Sequence, residues 1–143
     1  MNDFCGSSDT PDNFCPKGSR IYLASPYTHT DPVMMETRYE LVLYAASVLA
    51  NAGYIVYSPI VYTHIMATRY NIQPANSDWW IDFDRSFIEN WATVLATLMI
   101  PGHKKSTGIS REIDIARDAG LLEIFLTMEK LYDIARTGSI KLD

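Results

Sequence analysis

Glu112 is the residue of this chain whose position most invites chemistry. It lies in the stretch from Ser106 to Gly120, which reads as a helix. At about 100° per residue, Ile109, Ile113, Ala116, Ala119 and Gly120 gather on one side, and Ser110, Arg111, Asp114, Arg117 and Asp118 on the other. Glu112 falls inside the apolar arc. An unpaired buried charge is costly, so a carboxylate there is paired or functional. A glutamate satisfied by an arginine or by backbone donors fits the pattern too, as does a helix turned enough to wet that face. Just before it, Pro101 to Gly108 forms a polar turn that places Ser106, Thr107 and Gly108 at the helix N-terminus. Unpaired N–H groups there point at the loop and suit an anion. A second carboxylate, Asp84, lies beside the apolar side (Trp80, Phe83, Phe87, Ile88) of the preceding helix. Two carboxylates in separate environments are what glycosidic bond cleavage needs: one attacks or stabilises the anomeric carbon, the other handles the leaving group's proton. The helix N-terminus is expected to help keep Glu112 ionised, as a nucleophile must be.

Each of these residues also has a plainer role open to it. Asp84 has Arg85 and Arg38 as possible partners, and Ser106 or Thr107 would cap any such helix. Lys104 and Lys105 read as solvated. His64 stands between a rim residue and a loop contact, and Trp79 and Trp80 between a lid and a core. Arg38 reads as one half of a salt bridge.

The elements that must position these groups alternate. Arg20–Ala24 reads as a first strand, running into the polar loop Ser25–Asp31 with Tyr27 in it. Asp31-Pro32 is a capped helix start, and that helix runs to about Ala52 with Leu41, Tyr44, Ala45, Val48 and Leu49 as its apolar face. Tyr54–Ser58 is a second strand. Ile60–Tyr70 follows as a short helix, and 71–78 as a loop of a length that is more often functional than idle. Trp79–Asn90 is a helix, Ala92–Ile100 a third strand and Leu121–Leu126 a fourth. Met128–Arg136 is a last helix, with Ser139–Leu142 as a candidate edge strand. Alternating strands and helices predict an α/β fold with a parallel sheet of four to five strands covered on both faces, a three-layer sandwich. Ligands of such sheets bind beyond the strand C-termini. That rule gathers Tyr22, Ser25, Tyr27, His64 and the 101–108 turn on one rim.

Composition bounds the partners. The 143 residues fit one domain, 20–143, behind a loose polar extension, 1–19, held through Phe4 and Phe14 at most. A net charge of -5 with no basic stripe argues against a nucleic-acid polymer but leaves a small anion open. The apolar runs Leu41–Ala50 and Val94–Ile100 are too short to span a bilayer, and the N-terminus lacks a signal-peptide pattern. Cys5 and Cys15 do not make a disulfide scaffold, so a reducing cytoplasm is expected. Three scattered histidines give no zinc site.

Ile21-Tyr22-Leu23-Ala24, then Asp84, then Ser106-x-Gly108-x-x-x-Glu112-x-x-x-Ala116-x-x-x-Gly120 resembles the nucleoside 2-deoxyribosyltransferase superfamily, which includes nucleoside 5′-monophosphate N-glycosidases. Tyr22–Tyr27, Ser58–Ile60 and Trp80…Asp84 are similar to a set of short bacterial and phage proteins within that fold. The likeness covers roughly residues 20 to 127. It implies a flavodoxin-like or Rossmann-like fold, Glu112 as nucleophile, Tyr22 as the tyrosine that orients it and Asp84 as the acid for the departing base. Ser106 falls where monophosphate-using members carry serine. Some positions depart from the pattern: His103 stands in place of a tryptophan, Tyr62 of a histidine and Ala92 of an aspartate. Ser25-Pro-Tyr-Thr lacks the glycine- and arginine-containing phosphate loop.

These readings combine into an expectation. The protein cleaves the N-glycosidic bond of a (deoxy)nucleoside 5′-monophosphate, with Glu112, Asp84 and Tyr22 as the catalytic groups. Ser106, Thr107, Gly108, Ser25, Tyr27, His64 and Trp80 bind the substrate. No cofactor or metal is expected, and a homo-oligomer is implied by the resemblance. Transfer of the sugar to a second base is the alternative, and a non-catalytic nucleotide-binding module the third reading.

Overall fold

A computed structural model describes residues 13–71 and 77–142. Four helices open on a side-chain oxygen that takes up an unpaired backbone N–H. Asp31 accepts from Val33 N at the start of α1 (Pro32–Asn51), and Ser58 from Val61 N at the start of α2 (Pro59–Tyr70). Ser106 accepts from Ile109 N at the start of α4 (Thr107–Asp118), and Thr127 from Lys130 N at the start of α5 (Met128–Thr137). Helix α3 spans Ser77–Asn90. The strands are β1 (Arg20–Ala24), β2 (Ile55–Tyr57), β3 (Val94–Leu98) and β4 (Leu122–Leu126).

All strand pairs are parallel, in the order β2-β1-β3-β4. Alternation along β1 divides the core. Ile21 and Leu23 join Val94, Ala96 and Leu98 of β3 in a cluster with Val42, Ala45 and Leu49 of α1 and Leu131 and Ile134 of α5. Tyr22 and Ala24 join Leu95 in a second cluster with Ile88 of α3 and Ile109, Ile115 and Ala116 of α4. The molecule is therefore the expected three-layer α/β sandwich, flavodoxin-like in strand order, with α1 and α5 on one face and α3 and α4 on the other.

Some boundaries differ from the sequence reading. β2 is only three residues long, and β3 stops short of Ile100. Tyr44 of α1 is 39% exposed and meets Tyr132 edge-on, while Tyr39 and Val42 are buried in its stead. Ser139–Leu142 forms no edge strand; Lys141 makes one antiparallel bridge to Phe14. Around it, Cys15 N donates to Ile140 O and Leu142 N to Asn13 O. Cys15 is buried and Lys17 donates to the carbonyls of Ala52 and Gly138, so residues 13–19 are clasped to the domain. Phe4 and Cys5 lie outside the described residues, as does most of the predicted 71–78 loop. Among the described residues, no helix is long and apolar enough to cross a membrane.

Candidate active site

The strand order reverses between β1 and β3: the chain leaves β1 towards β2 and returns across it to β3. Loops after these two strands diverge, and the crevice between them is where ligands sit in open parallel sheets. A cleft of about 1430 Å³ opens there. It is bounded by the loop after β1 (25–29), the loop after β3 (99–105), the start of α4, and parts of α1, α2 and α3.

Glu112 projects from the second turn of α4 into this cleft and is only 7% exposed. The buried arc of α4 is Ile109, Glu112, Ile115 and Ala116, with Ala119 and Gly120 exposed. The helix is thus rotated slightly from the sequence reading, and Glu112 remains inside the buried face. Tyr22 sits beneath it at the centre of the sheet, fully buried, and its hydroxyl donates to Glu112 Oε2. Asp84 of α3 is also buried and lines the cleft. The partners offered by the sequence are engaged elsewhere: Arg85 pairs with Glu89, and Arg38 donates to backbone carbonyls.

Burial sets the electrostatics. It pushes Asp84 up to about 7, against the Tyr22 hydroxyl, whose hydrogen bonding favours the charged form. Burial pushes Glu112 up to about 8; Tyr22 again opposes the rise, and the Asp84 charge adds to it. The two carboxyls thus hold a proton between them near neutrality. This reverses the expectation that the helix N-terminus keeps Glu112 ionised. Glu112 lies a full turn beyond the first unpaired N–H groups, where the dipole has faded and desolvation dominates. Within the pair, the Tyr22 donor favours charge on Glu112, and Asp84 Oδ1 is buried with no hydrogen-bond partner among the described residues. Tyr22 itself is held well above the usual phenol range, by burial first and then by both carboxylates, and so stays a donor.

Other unpartnered buried polar atoms point to the same place. Ser25 Oγ, Arg38 Nε and His103 Nε2 have no partner among the described residues, and all three residues line the cleft. Buried polar atoms are normally satisfied. Their concentration at one crevice leaves it with polar atoms free to meet water or a ligand. The fifth such atom, Tyr57 Oη, lies behind the wall. Burial raises that phenol first, and Asp84 raises it next.

The sequence-predicted residues mostly converge. Ser25, Tyr27, Trp80, Asp84, Ser106, Thr107, Gly108 and Glu112 all line the cleft. Ser106 is also the α4 cap, so its plain role is real as well. His64 does not reach the cleft. It is 3% exposed and stacked on Tyr39 at 4.0 Å, with Nδ1 at 2.7 Å from the Tyr27 hydroxyl and Nε2 at 3.0 Å from Glu36. It therefore supports a wall residue. Trp79 lies outside the side chains described. Sequence reasoning missed Tyr57 and undervalued Arg38; the place of Arg38, early in a helix that opens at the rim, is the signal that could have found it. Among the described residues, no group of three or more His, Cys, Asp or Glu side chains is arranged to hold a metal ion.

Residues 19–128 match the family described as Domain of unknown function (DUF1937). No curated protein matches the chain.

Proposed function

The chain belongs to the DUF1937 family, and from that premise we propose that it cleaves the N-glycosidic bond of a (deoxy)nucleoside 5′-monophosphate and releases the free base. The observation that carries this reading is the buried Tyr22–Glu112 hydrogen bond with Asp84 beside it, facing a cleft at the sheet's switch point. The ordered motifs that resemble the nucleoside 2-deoxyribosyltransferase superfamily support it.

Glu112, charged and held by Tyr22, attacks C1′ through an oxocarbenium-like transition state. The C1′–N bond breaks, its electron pair stays on the base nitrogen, and Asp84 supplies the proton directly or through water. Water then attacks C1′, Asp84 takes its proton, and the C1′–O bond to Glu112 breaks. The sugar phosphate leaves with retained configuration. This first step requires the shared proton on Asp84, which the Tyr22 hydroxyl bond to Glu112 Oε2 favours and the lower value of Asp84 opposes.

The size of the cleft favours a second reading, in which another base replaces water and the sugar is transferred. Self-association belongs to either reading; Tyr62 of α2, stacked on Phe83 yet 54% exposed, offers an apolar surface for it. Incubation with a panel of ribo- and deoxyribonucleotides, analysed by chromatography, tests the proposal. Free base is the expected product, and a second nucleoside on adding an acceptor base marks the transferase. Release of no base from any member leaves a non-catalytic binding module.

A further inference from the structure

Arg38 carries a charge that no described acid balances. It makes no ion pair with a described residue. Instead Nη1 donates to Thr28 O at 2.9 Å and Tyr27 O at 3.4 Å, and Nη2 to Pro101 O at 3.4 Å. The guanidinium thereby bridges the loops after β1 and β3 across the switch point. Those three bonds leave Nε–H and one Nη2–H uncommitted, and Nε is buried without a partner. The contact is tight. Gly102, with a φ of 101°, leaves its Cβ position to the Arg38 Nη2, so a side chain at 102 would displace the guanidinium.

The loop after β3 adds further nitrogen groups beside it. His103 lies in the same loop as Pro101 and Gly102; its Nδ1 is engaged by Ile100 O at 2.9 Å, and Nε2 is buried without a partner. Lys104 and Lys105 continue that wall, and neither pairs with an acid among the described residues; Arg111 lines the cleft from α4. Among the described residues, the carboxylates lining the cleft are Asp84 and Glu112, from α3 and α4 on the opposite face of the sheet from α1. Among the described residues, the cleft thus carries a carboxyl pair from α3 and α4 and, across it, Arg38 with two lysines that no acid pairs.

We propose that Arg38 is the centre of a fixed anion site that takes a phosphate monoester, with His103 and the 104–105 lysines around it. A phosphate offers oxygens to several donors at once, and a guanidinium matches it with paired N–H groups. Assigning the ester to a nucleotide rests on the proposed function; the anion site itself does not.

The test is calorimetric titration of wild type, Arg38→Ala and Arg38→Lys with inorganic phosphate, nucleoside 5′-monophosphates and the matched nucleosides. Wild type is expected to bind a nucleotide at least about tenfold more tightly than its nucleoside. Arg38→Ala should weaken the nucleotide by about tenfold to a hundredfold more than the nucleoside, the size of a charge-assisted contact. Arg38→Lys, which keeps the charge and loses the brace, should fall between and provides the test should the alanine variant not fold. Inorganic phosphate binding that is lost with Arg38 shows a free-phosphate site as well as an ester site. Equal affinity for nucleotide and nucleoside, equal losses of both in the variants, or binding of no probe overturns the proposal. The two readings fail separately. Selective nucleotide binding without base release sinks the glycosidase; base release at equal rates from nucleotide and nucleoside, by both wild type and variant, sinks the anion site.

Discussion

Glu112 is legible in the sequence because its neighbours are apolar at helical spacing, and the fold keeps it on the buried face. Its ionisation was not legible, since that depends on how far Asp84 and Tyr22 close over it. With burial placing Asp84 at about 7 and Glu112 at about 8, the singly protonated pair dominates between these values. The activity profile follows from the sign of each step. Below the lower value both carboxyls are protonated and the nucleophile is lost; above the upper value both are charged and the base has no proton to take. A plot of kcat/KM against pH should therefore be a bell with limbs near these values. Asp84→Asn should remove the alkaline limb, because that limb is the loss of the acid's proton. A profile that is flat from about pH 6 to pH 9, or a bell unchanged by Asp84→Asn, contradicts the shared proton.

At the scale of elements, the strand and helix order was readable from alternation and caps, and the starts of α1 and α4 were readable from Asp31-Pro32 and from Ser106-Thr107. What was not readable is the bracing between elements. Arg38 reads as half of a surface ion pair until the carbonyls of Thr28 and Pro101 fold around it. His64 reads as a rim residue until Tyr27 comes between it and the cleft. The Glu36–His64–Tyr27 chain links α1, α2 and the loop after β1, and holds a phenol at the cleft wall. With Glu36 accepting from Nε2–H, Nδ1 accepts the Tyr27 proton and leaves the phenol oxygen as an acceptor for a ligand donor. His64→Phe keeps the stack on Tyr39 and removes both hydrogen bonds. It is expected to raise KM several-fold with little change in kcat, and to add nothing further in a Tyr27→Phe background. Fully additive losses in that cycle would separate His64 from the site.

At the scale of the whole molecule, length and alternation gave the three-layer sandwich, but not the clasp at its edge. The pairing of Asn13–Cys15 with Ile140–Leu142 joins two stretches with no shared pattern; the first reads alone as a loose extension and the second as a candidate edge strand. Ile140 is the anchor: its side chain is fully buried and its N–H donates to the Tyr54 hydroxyl, which itself donates to Cys15 O. Ile140→Ala should cost about 2–5 kcal/mol, visible as a lower Tm, without altering the cleft. A Tm equal to wild type would show the clasp to be dispensable. Both core layers position the switch-point crevice, and the central claim is that base departure at this crevice proceeds through Glu112. The measurement that reaches it directly is single-turnover base release by wild type and Glu112→Gln at equal protein, with folding of both checked by circular dichroism. Glutamine keeps the size and an oxygen for Tyr22 but cannot be a carboxylate nucleophile. The predicted result is a folded variant whose release of base falls by about a thousandfold or more; release at the wild-type rate would contradict the account.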